Sequence, residues 1–212
     1  MIDATAVLMM RHEEYWGGHV LASVLATNIQ HVIVMDTLSD DATLSILREV
    51  AGSDSRVTFM DWAGGNVTGA SLRMARQATV EAATTKWILL DDGDEWYFPD
   101  RLQGVLNQDI PDGNLFAHTS FDVVRWQDGS FWKAEKFRKQ AFYLRDGLQW
   151  IGDFPFEWPG YGGKVQFGPQ HYFDGDSHGY HFHNLKRSSK DVGTVHRGEM
   201  PTHEPLVVKM EV

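Results

Sequence analysis

The sequence predicts an α/β fold built on a mostly parallel central sheet flanked by helices. Three observations predict it. Short, wholly apolar runs alternate with helix-period segments over residues 1–103, and that order implies strand–helix–strand crossovers of right-handed sense. The runs show no polar alternation, as suits strands covered on both faces. Charged residues follow directly on several runs, at the carboxyl edge of the sheet, where open α/β sheets bind their ligands.

The elements follow in order. Ala6-Val7-Leu8-Met9-Met10 suits a buried strand, and Trp16, Val20, Leu21, Val24 and Leu25 then share one helical face. Val32-Ile33-Val34-Met35 is a second strand, ending at Asp36. Residues 43–50 read as a helix entered through Ser39-Asp40-Asp41, polar side chains able to cap its first turn. Val57-Thr58-Phe59-Met60 leads into a loop at Gly64-Gly65-Asn66, and residues 70–83 form an alanine-rich helix able to lie close to a sheet. The fourth strand, Trp87-Ile88-Leu89-Leu90, stops at Asp91-Asp92-Gly93-Asp94.

Beyond Pro99 the texture changes. Residues 116–126, 130–136 and 140–144 read as three strands of a less regular, aromatic-rich region. Pro and Gly crowd residues 152–168, and His crowds residues 171–183. The economical division is one domain over residues 1–212: a nucleotide-binding half at 1–103, a second half at 104–190, and a tail at 191–212 holding a short helix and an extended end.

Composition bounds the chemistry. Over 212 residues, 42% hydrophobic and 23% charged residues suit one soluble globular domain. The chain has no cysteine, which excludes disulfides, thiolate nucleophiles and Cys-ligated zinc. Its formal net charge of -10 at pH 7 disfavours nucleic acid as a partner, because polyphosphate is repelled at long range. Residues 1–5 carry no basic start before an apolar run, so no signal peptide is expected. No apolar run approaches the roughly 20 residues that span a bilayer. A cytoplasmic protein without a transmembrane segment is the expectation.

The residues just past the strand ends are therefore the candidates: Arg11, His12, Asp36, and the run from Asp91 to Glu95. Alternation in extended backbone points Asp92 and Asp94 the same way, and Gly93 permits a tight bend and a close ligand approach. Two hard carboxylates beside open solvent suit Mg²⁺ or Mn²⁺. The plainer alternative is an acidic turn that only ends a strand.

With these residues in place, the first half resembles family 2 glycosyltransferases, which have the GT-A (Rossmann-like) fold. The resemblance is carried by Val34-Met35-Asp36 and the acidic turn to Thr43, by Ala75-Arg76-Gln77, and by Asp92-Gly93-Asp94-Glu95-Trp96 with Pro99 behind it. It implies that Asp36 contacts the donor's base or ribose, that Arg76 lies near the nucleotide, and that Asp92 and Asp94 hold the cation on the donor diphosphate. Asp94 is the more direct ligand in this reading. The sequence departs from the family pattern at Met10-Arg11-His12, where Pro and Asn are usual, and at Thr37-Leu38, where Asp-Gly is usual. The identity of the base is open for that reason.

A second constellation is His178-Gly179-Tyr180-His181-Phe182-His183, followed by Lys186 and Arg187. His181 or His183 can complete a cation's shell, as the resemblance also implies, whereas His178 reads as polar surface. A His-only zinc site is the rival. Lys186 and Arg187 can neutralise diphosphate. Transfer also needs a base for the acceptor hydroxyl, and Trp150-Ile151-Gly152-Asp153-Phe154-Pro155-Phe156-Glu157 offers Glu157 first and Asp153 second. Lys136, Arg138 and Lys139 read as a solvated basic strand edge. The resulting expectation is a metal-dependent, inverting glycosyltransferase. It uses a nucleotide-diphosphate sugar, Mn²⁺ or Mg²⁺, and a hydroxyl acceptor on a glycan, lipid carrier, protein or modified nucleobase. A nucleotidyltransferase and a catalytically silent nucleotide-sugar-binding module are the alternatives.

Overall fold

The computed structural model describes residues 1–62, 64–65, 69–127, 130–152, 158–165, 170–182, 185 and 187–190. The expected alternation opens the chain: β1 (Ala4–Met10), α1 (Gly17–Leu25), β2 (His31–Asp36), α2 (Thr43–Ala51), β3 (Val57–Asp61), α3 (Gly69–Ala82) and β4 (Trp87–Asp92). The chain continues through β5 (Glu95–Tyr97), α4 (Pro99–Leu106), β6 (Phe116–Gln127), β7 (Ser130–Leu144), β8 (Leu148–Ile151), β9 (Trp158–Tyr161), β10 (Lys164–Val165), β11 (Gln170–Tyr172) and β12 (Gly179–His181).

The main sheet has the order β3-β2-β1-β4-β7-β6-β12-β5, with β11 beside β6. Its first four strands are parallel, in a register that sets Met10 opposite Asp36 and Asp36 opposite Asp61. β7 runs antiparallel to both β4 and β6, and β12 runs parallel to β6 and antiparallel to β5. β8, β9 and β10 form a small antiparallel sheet. The predicted α/β class, mostly parallel and flanked by helices, is the observed one.

Two-sided burial explains the wholly apolar strands. All seven residues of β1 are buried. Ala4, Ala6, Leu8 and Met10 pack with Val20, Leu21 and Val24 of α1 and Leu102 of α4. Val7 and Met9 face the other way, toward Ala75 and Val80 of α3 and Trp150 of β8. Each fully buried Val or Leu contributes about 1.5–3 kcal/mol relative to leaving it exposed.

Several expectations change in detail. β4 does not stop at Leu90; it carries Asp91 and Asp92 within the strand, paired with Leu8 and Met9 of β1. Residues 130–144 form one strand rather than two. A bulge absorbs Ala141, since Phe142 pairs with Ala117 while Gln140 pairs with His118. The cap expected of residues 39–41 is supplied by Asp41, which accepts the Thr43 N–H at 2.9 Å, although the residue at the mouth of α2 is Ala42. Residues 191–212 lie outside the described residues. No helix among the described residues is long and apolar enough to cross a membrane.

Candidate active site

The carboxyl edge of the parallel strands gathers the charged groups. β4 delivers Asp91 and Asp92, a turn holds Gly93 and Asp94, and β5 begins at Glu95. Gly93 is required by packing. A Cβ there would lie 2.4 Å from Glu13 Cγ and 2.6 Å from Met10 Sδ. The close approach expected at this glycine is thus made by the end of β1 and the residues after it.

The turn gives the two aspartates different settings. The Asp92 side chain is 37% exposed, with Lys139 Nζ 3.3 Å from Oδ2 and Arg76 Nη2 3.5 Å from Oδ1. Asp94 is 2% exposed; its Oδ2 accepts from Arg187 Nη2, with His181 Nε2 at 3.7 Å. Against the upward push of burial, Lys139 and then Arg76 hold the Asp92 carboxyl well below its ordinary range. Burial is likewise opposed at Asp94, where the nearby His181 and the Arg187 charge lower it. Both aspartates are therefore ionised at neutral pH.

Their two neighbours differ in their partners. Asp91 is fully buried, burial and then the Glu95 charge push its pKa well above the usual range, and neither of its carboxylate oxygens has a hydrogen-bond partner among the described residues. Glu95 accepts the Asp92 N–H at 3.0 Å and pairs closely with Lys139. Burial would lower the Lys139 pKa, but Asp92 and Glu95 raise it well above normal. Lys139 is therefore no solvated edge residue: its side chain is 11% exposed and points into the acidic turn, whereas Lys136 and Arg138 are exposed.

Arg187 sits between Asp94 and Glu13, donating from Nη1 to Glu13 Oε1 at 2.9 Å. Glu13 is 2% exposed. The Arg187 backbone is fixed too, its carbonyl accepting the Tyr15 N–H at 3.0 Å. Beside it, Ser188 donates to Asp41 and the Ser189 N–H to Glu14.

Asp36 ends β2, and its carboxylate accepts from the Ser39 N–H at 3.1 Å and from the Ser39 hydroxyl. Ser39 Oγ in turn accepts the His12 N–H at 2.9 Å, and His12 Nε2 lies 2.9 Å from Asp40. His12 and Leu38 adopt left-handed backbone, φ 54° and 66°, a conformation that costs of order 1 kcal/mol or more in non-glycine residues and clusters at functional rims.

Arg76 of α3 joins this turn to the second half. Its guanidinium lies 5.1 Å from the Trp150 ring centroid, and the neighbouring Gln77 Oε1 accepts the Trp150 N–H at 3.1 Å. The strand leading to Asp153 is anchored in this way. Asp153 and Glu157 themselves lie outside the described residues, as do His183 and Lys186. A cleft of about 840 Å³ opens alongside, lined by Met35, Trp62, Met74, Gln77 and Trp150 among others. Asp92 and Asp94 are not in its walls, so it flanks the acidic turn. His178 is buried, at 4% exposure, against the expectation of polar surface; its Nδ1 accepts the Ser120 N–H at 3.1 Å.

The structure thus brings together Asp92, Asp94, Arg76, His181 and Arg187 of the expected set, and leaves Asp36 at the end of β2, separated from β4 by β1. Sequence reasoning placed Glu95 in the acidic run of candidates without assigning it a role, and it missed Glu13 and Lys139 as members. Glu13 lies three residues past the end of β1, and nothing in the sequence showed its partner. Among the described residues, no group of three or more His, Asp or Glu converges as a metal site.

These features define an α/β protein with two ionised aspartates at the ligand-binding edge of its parallel half. The chain belongs to glycosyl transferase family 2, whose model matches residues 13–181. The match runs beyond the first half to the end of β12. No curated protein matches the chain. Among solved structures, a mannosyltransferase from Pyrobaculum calidifontis in complex with GDP-Man and Mn2+ is similar at 17% identity, covering 58% of this chain and 36% of that one, with a TM-score of 0.45. TarS from S. aureus in complex with UDP-GlcNAc is similar at 14% identity, covering 54% and 38%, with a TM-score of 0.41. Glucosyl-3-phosphoglycerate synthase from Mycobacterium tuberculosis gives 15% identity, 54% and 42% coverage, and a TM-score of 0.42. The matched part is less than half the length of each of these chains.

Proposed function

We infer that the chain transfers a sugar from a nucleotide-diphosphate donor to an acceptor hydroxyl, by a metal-dependent and inverting route, in the cytoplasm. The observation that carries this reading is the pair Asp92 and Asp94, kept ionised at the carboxyl end of β4 in a family 2 chain. Asp92 is open enough to take a ligand, and Asp94 has His181 within reach, so the donor set suits a hard divalent cation. A Mn²⁺ or Mg²⁺ ion on Asp92 and Asp94, with His181 or His183, would supply Lewis-acid stabilisation of charge on the departing diphosphate.

The chain's own residues do the remaining work. Asp36 receives the donor's base or ribose at the end of β2. Arg76, Lys186 and Arg187 neutralise diphosphate oxygens by charge-assisted hydrogen bonds. Glu157, or Asp153 as second choice, removes the proton from the acceptor hydroxyl on the face of the sugar opposite the diphosphate. The Gln77 bond to Trp150 and the Arg76 stack on its ring support this assignment, because they hold the strand just before both acids against α3. The acceptor class stays as broad as the sequence made it: glycan, lipid carrier, protein or modified nucleobase.

A second reading, a nucleotide-sugar-binding module without turnover, is favoured by one observation. Both carboxylates already have protein cations as partners. Asp92→Asn separates the two. In the transferase reading it lowers turnover at least a hundredfold with Mn²⁺ and a panel of nucleotide sugars, while loss of the charge that Lys139 and Arg76 hold lowers the melting temperature without abolishing the fold. Donor binding with no hydrolysis or transfer in the unmodified chain would favour the silent module.

A further inference from the structure

Within the acidic turn, every carboxylate that faces the proposed donor site is engaged by a basic side chain of the protein. Asp92 divides its oxygens between Arg76 and Lys139. Glu95 shares Lys139. Asp94 and Glu13, each 2% exposed, grip the two ends of one guanidinium. A planar fork suits that double role better than an ammonium does. The four carboxylates are thus matched by three permanently charged side chains and by His181.

We propose that Arg187 is a resident counter-cation that holds Asp94 and Glu13 closed to free metal ions and moves onto the donor's diphosphate when cation and nucleotide bind as one unit. This rests on the transferase reading above. The physical reason is charge and hydrogen-bond balance. Giving up Asp94 to a divalent ion alone leaves the guanidinium with only Glu13 of the two carboxylates that grip it, beside a second positive charge. A diphosphate provides oxygens that Arg187 can grip bidentately instead. Each ligand then lowers the cost of admitting the other, and the coupling is the same whichever is added first.

Arg187 is singled out among the three cations by its place in the fold. Lys139 lies within β7 between two carboxylates, and Arg76 lies within α3 with its guanidinium stacked on Trp150. Arg187 belongs to neither helix nor strand. Its backbone is pinned through the Tyr15 N–H, while its side chain is 22% exposed. The guanidinium can therefore swing without moving the chain that carries it.

Titration calorimetry on the full chain tests this, with MnCl2 alone, UDP and GDP alone, and each nucleotide with Mn²⁺. In the unmodified chain Mn²⁺ alone binds weakly, and its presence tightens the preferred nucleotide about 30-fold, within the usual range of coupling between sites. In Arg187→Gln, Mn²⁺ alone binds about tenfold tighter and the coupling falls to about threefold; Arg187→Lys, which keeps the charge but loses the fork, falls between the two. Unchanged Mn²⁺ affinity or unchanged coupling in a folded Arg187→Gln protein overturns the proposal and leaves the transferase reading standing. If Arg187→Gln does not fold, Glu13→Gln carries the test. Removing one anchor eases release of the guanidinium, so the Mn²⁺–nucleotide pair binds more tightly; weaker binding of the pair overturns the proposal. An unmodified chain that binds neither nucleotide, with or without Mn²⁺, removes the transferase reading together with this one.

Discussion

The two halves of the main sheet serve the site in different ways. In the parallel half, β1, β2 and β4 are short, largely apolar and buried, β3 forms the more exposed edge, and charged residues gather where the strands finish. In the mixed half, β7 is 15 residues long and passes alongside the acidic turn instead of ending at it. Its contribution, Lys139, comes from the middle of the strand. One half positions acids by termination, and the other positions a cation by passing at the right register. The comparison teaches that the acidic turn is complete only where both halves meet, so the second half is part of the site's electrostatics as well as its cover.

Lys139→Met is the sharpest attempt to break that comparison. It leaves Glu95 buried without its cation and Asp92 with Arg76 alone, and stability should fall by about 3–5 kcal/mol in urea denaturation. Lys136→Met, on the same strand but exposed, should change stability by less than about 0.5 kcal/mol. Equal effects at the two positions would mean that β7 is ordinary cover. Gly93→Ala probes the junction itself: the added methyl meets Glu13 and Met10, an overpacking that costs about 1–3 kcal/mol. By contrast Gly104, inside α4 with open space around it, should become more stable by about 1 kcal/mol as alanine. The two melting curves should move in opposite directions.

The smallest effect concerns pH. Burial, the main cause, lowers the His178 pKa below its ordinary 6.5 in the folded chain. The unfolded chain therefore takes up the proton first as pH falls, so this residue's contribution is present above pH 6.5 and is lost below it. The melting temperature should decline between pH 7.5 and 5.5, and His178→Gln should make that decline shallower. An identical decline in both proteins would assign it elsewhere.

Much of the fold was legible because the parallel strands are apolar on both faces, a pattern that needs no partner to interpret. Asp36, Asp92 and Asp94 were legible for the same reason, as the first charges after such runs or close behind them. Lys139 was not. It stands with Lys136 and Arg138 in a basic run that reads as a solvated edge, and its partners Glu95 and Asp92 lie 44 and 47 positions away. The pairing of Glu13 with Arg187 joins positions 174 apart, and nothing local in either stretch announces the other. His178 was misread because a histidine among polar neighbours looks wet until the Ser120 N–H that it accepts is in place.

The long reach between Arg187 and the loop after β1 also sets an order of assembly. During synthesis at about 5–20 residues per second, the first strands emerge some 10 to 35 seconds before the arginine that neutralises Glu13 and Asp94. Until then Glu13 and Asp94 lack the guanidinium that both of them hold in the folded chain. The charge balance of the acidic turn is therefore completed late in synthesis, and a chain that ends before Arg187 should leave Asp94 and Glu13 without their shared guanidinium.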